Sequence, residues 1–126
     1  MQLGFLTGDI ADIARAAQLG FDAVELNVRA IGDPAVEALD RQTVADVRSL
    51  RERHGVALTA LAYYDLAFQP PAEDAVVRAY ERVFDAAAQL GVHTITSMSG
   101  FDAGRDWQGN IQLFAERFGP IAELAE

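Results

Sequence analysis

A carboxylate stands inside the apolar run Ala23-Val24-Glu25-Leu26-Asn27. If Val24 and Leu26 face one side of a strand, Ala23, Glu25 and Asn27 face the other. Burying a carboxylate is expensive unless it is hydrogen-bonded, paired or put to use. Glu25 is therefore either a substrate-pocket residue or a solvated strand-end acid. A second run, Ala57 to Ala62, leads into Tyr63-Tyr64-Asp65. Either tyrosine can wall a pocket and offer its hydroxyl, or pack under a loop. A third candidate is Arg105, in the segment Phe101-Asp102-Ala103-Gly104-Arg105-Asp106-Trp107. It precedes a helix start, where an arginine fork and free N–H groups suit a phosphate or carboxylate. The competing reading pairs Arg105 with Asp102 or Asp106, with Asp106 as the helix cap.

Other chemistry is excluded by residue type. There is no cysteine and no lysine, all ten basic residues being arginines. Disulfides, thiolate nucleophiles, Cys-ligated zinc, a Schiff-base lysine and a P-loop lysine cannot be drawn from this chain. The two histidines, His54 and His93, fall at a helix end and a strand start, positions that serve stability in a barrel. No paired-histidine metal motif occurs. A formal charge of −9 argues against a nucleic-acid partner. No stretch is long and apolar enough to span a membrane, and the opening residues lack a signal-peptide pattern, so a cytoplasmic protein is expected.

The elements that position these residues recur. An amphipathic helix, a glycine and a short β-rich run appear three times, with Gly20, Gly55 and Gly91 spaced 35 and 36 residues apart. About 30–40 residues is the length of one strand–helix unit of a parallel sheet. Glycine at each helix end provides the left-handed conformation that turns the chain into the next strand. Helical stripes are expected at Ile10, Ile13, Ala14 and Ala17, with Asp9 as cap; at Val44, Val47 and Leu50 or Arg51, opened near Asp40; at Val76, Tyr80, Val83, Phe84, Ala87 and Leu90, after Pro70-Pro71; and at Ile111, Phe114, Phe118, Ile121 and Ala125. Asp33 and Pro34 are suited to start a short extra turn. Strands are expected near 2–6, 22–27, 56–62 and 93–98, parallel and in sequential order. The alternation predicts an α/β fold in one domain over 1–126. A doubly wound sheet normally carries a glycine-rich phosphate loop after its first strand, and Thr7-Gly8-Asp9 is not one. Four units of a parallel (β/α) barrel of the TIM type, an incomplete half barrel, are expected instead. The last apolar stripe still runs at Ala125, so the chain is expected to stop before such a barrel closes.

Three segments resemble the sugar phosphate isomerase/epimerase family, the xylose-isomerase-like barrels. They are Leu19-Gly20-Phe21-Asp22-Ala23-Val24-Glu25-Leu26, Leu90-Gly91-Val92-His93-Thr94-Ile95, and Phe101 to Asp106 leading into Asn110-Ile111. The resemblance covers the N-terminal half of that fold. It implies a sugar or polyol substrate and proton transfer beside a carbonyl, assisted by one divalent metal (Mn, Mg or Zn). The metal ligands and catalytic carboxylates would come mainly from later strands, so this chain alone is expected to hold no metal and to be inactive. Glu25, Tyr64 and Arg105 are the expected substrate contacts. DNA-repair relatives carry extra histidines after the third and fourth strands, where this chain has Tyr63-Tyr64 and Ser97-Met98-Ser99. The alternative function is a non-catalytic half-barrel that dimerises or binds a small polar ligand. Open edges at the first and fourth strands, with Leu3, Phe5, Leu58 and Ile95 expected on the lumen side, make a homodimer the expected partner.

Overall fold

The computed structural model describes residues 1–36, 39–64 and 73–125, so Asp65, Pro70 and Pro71 lie outside it. In chain order the elements are β1 (Gly4–Thr7), α1 (Asp12–Leu19), β2 (Ala23–Asn27), a 3-10 turn (Val28–Ala30), α2 (Arg41–His54), β3 (Ala57–Tyr63), α3 (Glu73–Leu90), β4 (Ile95–Ser97) and α4 (Trp107–Leu124). The sheet order is β1-β2-β3-β4 and every pairing is parallel. Successive helices pack on one another along the sheet, α1 on α2, α2 on α3 and α3 on α4. This is the expected α/β arrangement, part of a parallel barrel. β1 and β4 are both edge strands among the described residues.

The glycine repeat ends helices as expected. Gly20 and Gly55 occupy the C-cap positions of α1 and α2 with φ of 81° and 66°, and Gly91 follows α3 with φ of 64°. Two helix starts also follow the sequence. Asp40 accepts from the Gln42 and Thr43 amides, and Asp106 accepts from the Gly109 amide at 2.7 Å. α1 differs, because its cap position is Ala11 with no side-chain cap. Asp9 closes the preceding turn instead, accepting from the Ala11 amide at 2.8 Å. Asp33 accepts from the Ala35 amide at the start of a turn over residues 34–36.

One core fills the space between sheet and helices. Val24, Leu26, Leu58 and Leu61 of the strands meet Ile13, Val44, Val47 and Val83 of the helices. The α3 stripe is buried as expected, with Tyr80, Val83, Ala87 and Leu90 inside and Val76 and Phe84 packed against the core. Arg48 and Arg51 of α2 donate to the carbonyls of Gln89 and Leu90, closing the C-terminal end of α3. Cations at that end also suit the helix dipole.

The facing of three strand residues must be corrected. Phe5 stands beside Val24 in the ladder and packs edge-on against Phe21, 5.0 Å between ring centroids, on the helix side. Leu6, beside Glu25, is the residue that faces away from the helices and is 48% exposed. Leu58 pairs with Val24 and is buried in the core. The cause is a bulge: Val24 pairs with Leu58 but Glu25 pairs with Ala60, leaving Thr59 as an extra residue. An extra residue reverses the alternation along the strand, so counting by twos from Ala62 misplaces Leu58. Ile95 pairs with Leu61 and likewise packs against the core. Few large apolar groups are therefore left on the open face, where Leu6 is exposed on the β1 side.

The α4 stripe is buried as expected at Ile121 and packs against the core at Phe118, but its first half is not. Asn110, Leu113 and Ile121 are buried, whereas Ile111 and Phe114 stay about half exposed. Phe114 stacks on Phe118, 4.7 Å apart, and Phe118 leans on the core.

Candidate functional site

The face opposite the helices corresponds to the lumen of a closed barrel. Small side chains line it: Gly4 and Ala23 side by side, Ala60 beside Glu25, and Ala62 between Asn27 and Thr96. Glu25 is the charged residue among these paired positions, and it is half-buried. Tyr64, just past β3, reaches across and donates its hydroxyl to Glu25 Oε1 at 3.1 Å. Tyr63 takes the opposite direction, buried and edge-on to Tyr80 at 5.1 Å. Alternation at the strand end thus assigns one tyrosine to the core and one to the lumen.

The Glu25–Tyr64 pair joins β2 to β3 near their C-terminal ends, where barrel chemistry collects. Among the described residues no arginine or histidine forms an ion pair with Glu25. Removal from solvent, and then the hydrogen bond and negative charge of Glu25, raise the Tyr64 pKa above its ordinary 10.0. Tyr64 therefore remains a proton-bearing donor throughout the neutral range. A cleft of about 420 Å³ adjoins Glu25, lined by Gln2, Gly4, Phe5, Leu6, Ala23 and Thr59. Gly4 lets β1 lie close to β2, since a Cβ there would meet Ala23 O at 2.6 Å.

Several other polar groups near the strand ends have partners of their own. Asn27 accepts from the Arg29 amide at 3.0 Å, and Ser97 bonds to the buried Tyr80 hydroxyl. Thr7 donates to Asp12 Oδ2 at 2.6 Å while accepting from the Asp9 amide. Arg105 pairs with Asp102, Nε to Oδ2 at 3.1 Å, both side chains partly exposed. The structure thus brings Glu25 and Tyr64 together and holds Arg105 in a separate ion pair.

The residue that sequence reasoning missed is Asn110. Its side chain is buried in the first turn of α4 and clamps the Arg105 loop. Oδ1 accepts from the Asp102 amide at 2.8 Å, and Nδ2 donates toward the carbonyls of Asp102, Asp106 and Arg105. The available signal was an asparagine within a helix, where its side chain competes for backbone partners.

A family model described as "Xylose isomerase-like TIM barrel" matches residues 13–126. The chain belongs to the xylose isomerase-like TIM barrel family. Solved structures of this fold agree. A probable 3-DHS dehydratase involved in petrobactin synthesis, from Bacillus anthracis, superimposes with a TM-score of 0.73 at 17% identity, over 99% of this chain and 48% of that one. A xylose isomerase domain protein from Alicyclobacillus acidocaldarius gives 0.72 at 19% identity, over 98% and 46%. An AP endonuclease, family 2, from Brucella melitensis gives 0.69 at 17% identity, over 98% and 50%. The chain therefore spans about half the length of these three structures. No curated protein matches its sequence.

The divalent metal expected from the resemblance can be tested against the residues present. Among the described residues no group of three or more His, Asp or Glu side chains converges to hold a cation. The described residues do not fit a complete metal site. Also among them, no helix is long and apolar enough to cross a membrane.

Proposed function

We propose that this chain forms the substrate-binding wall of a sugar or polyol isomerase or epimerase, of which it is the N-terminal half. The observation that carries the reading is the Glu25–Tyr64 pair on the lumen face, beside an open cleft with a floor of small residues. A carboxylate with a tyrosine hydroxyl offers acceptors and a donor of the kind that sugar hydroxyls use. Glu25 and Tyr64 contact substrate, and Arg105 flanks the site from the loop after β4. The divalent metal (Mn, Mg or Zn) and the carboxylates that move a proton beside a carbonyl belong to the other half of the barrel. Family membership supports the fold of this reading and leaves the chemistry open, since one of the similar structures is named a dehydratase and another an AP endonuclease. A nucleic-acid substrate is disfavoured by the charge of −9.

Titration of the isotope-labelled chain with xylitol, followed by amide chemical shifts, tests this. Saturable shifts are expected at residues 24–27 and 60–64, weakened in Glu25→Ala and in Tyr64→Phe. Shifts confined to another surface, or none, would remove the basis for the proposal.

A further inference from the structure

The bulge in β3 lies against the strand position of Glu25, and the inference drawn from it rests on the function proposed above. Val24 pairs with Leu58 and Glu25 pairs with Ala60, so Thr59 is the extra residue. The burial of β3 does not by itself choose that residue. Leu58 before the bulge and Leu61 and Tyr63 after it are all buried in the core. The facing must reverse between Leu58 and Leu61, and it does so equally well with Thr59 or Ala60 as the extra residue. What differs is the neighbour of Glu25. With Thr59 extra, that neighbour is Ala60. With Ala60 extra, it would be Thr59 and its β-branched side chain.

One contact distinguishes the two arrangements. Thr59 Oγ1 donates across the strands to Val24 O at 3.3 Å, which ties the extra residue to the carbonyl just before Glu25. Thr59 is exposed, so core packing does not hold its side chain there. Ala60, Ala62 and Tyr64 follow one another on the lumen face. The two short side chains leave the Tyr64 hydroxyl a path along β3 to Glu25 Oε1, which it meets at 3.1 Å. A β-branched side chain beside Glu25 would stand in that path. We propose that Thr59 is a positioning residue of this site, whose hydroxyl fixes the bulge at position 59 and so keeps Ala60 beside Glu25. It acts through the Glu25–Tyr64 contact rather than on the substrate.

The test reads that contact without a ligand. After removal from solvent, the hydrogen bond and charge of Glu25 are what raise the Tyr64 pKa above its ordinary 10.0. Ring-carbon labelling of tyrosine on the full chain follows its ionisation by magnetic resonance, and Tyr64→Phe assigns the signal. Thr59→Val keeps the branched shape and removes the donor. In it the Tyr64 midpoint is expected to fall to that of Glu25→Gln, and cross-strand contacts of Glu25 are expected to move from Ala60 to position 59. Thr59→Ser keeps the donor and is expected to retain the unaltered midpoint. Xylitol binding is expected to weaken by up to about tenfold in Thr59→Val, the worth of one net hydrogen bond, and to survive in Thr59→Ser. An unchanged Tyr64 midpoint in Thr59→Val overturns the role given to Thr59, even where Tm falls, because the hydroxyl would then serve stability alone. An equal fall in Thr59→Val and Thr59→Ser overturns it as well. Failure of the unaltered chain to bind xylitol overturns the function proposed above, while the two midpoints still decide whether Thr59 positions the pair.

Discussion

Asn110→Ala removes the clamp on the Arg105 loop, and its cost can be worked from the contacts. The side chain is 6% exposed and reaches four backbone groups. The Asp106 carbonyl keeps a partner after the change, because the Asn110 amide also donates to it at 3.0 Å. The Asp102 carbonyl likewise keeps the Arg105 amide at 3.1 Å, so the Asp102 amide is the group that loses its partner. A buried group left unsatisfied costs about 1–3 kcal/mol, and partial access of water to this loop lowers that figure. The expected loss is about 1–2 kcal/mol, equivalent to about 5 °C in Tm for a domain of this size. Thermal unfolding by circular dichroism reads the first number. Hydrogen exchange locates it, since the Asp102 amide should exchange faster while amides of β2 and β3 remain protected. A Tm within about 2 °C of the unaltered chain, or a drop with unchanged exchange at Asp102, would refute the clamp.

Two further outcomes follow from the cap of α2 and the edge of β1. The Thr43 hydroxyl first, and then the Thr43 and Gln42 amides, hold the Asp40 carboxyl below its ordinary 3.8. A carboxylate lowered in the folded chain stabilises it above the unfolded value, and this contribution fades as the pH falls through the lowered one. Asp40→Ala should therefore lower Tm at neutral pH and progressively less in acid; a Tm gap independent of pH would count against the cap. The β1 edge, with Leu6 48% exposed and no charged residue from Gln2 to Leu6, is expected to drive self-association at micromolar concentration. Leu6→Lys should shift sedimentation equilibrium toward monomer, and an unaltered chain that is already monomeric would remove the premise.

Much of the fold is local and therefore legible. Gly20, Gly55 and Gly91 mark helix ends because a left-handed backbone favours the residue without a Cβ. Asp40 and Asp106 mark helix starts because a short acceptor finds the free amides of its own first turn. The stripe from Val76 to Leu90 marks the buried side of α3 because it is wide and regular. The parallel order of the strands follows from the length of the units between them.

The candidate site was legible only in part. Glu25 was marked by its charge inside an apolar run, and Tyr64 by its place at a strand end, but their contact depends on the β2–β3 register. Arg105 was legible as a cation at a loop, and its partner was one of the stated alternatives. Leu58 was assigned to the wrong face because the bulge at Thr59 is a property of two strands together, and no single run displays it. The stripe on α4 held at Phe118 and Ile121 and failed at its start for a related reason. Ile111 and Phe114 are apolar, but which side of a helix is buried depends on the neighbours the fold brings to it. What the residues determine by themselves is the sequence of local conformations, because caps, turns and periodicity act over a few positions. What only the tertiary structure decides is facing and company, because these depend on register between strands roughly 35 residues apart.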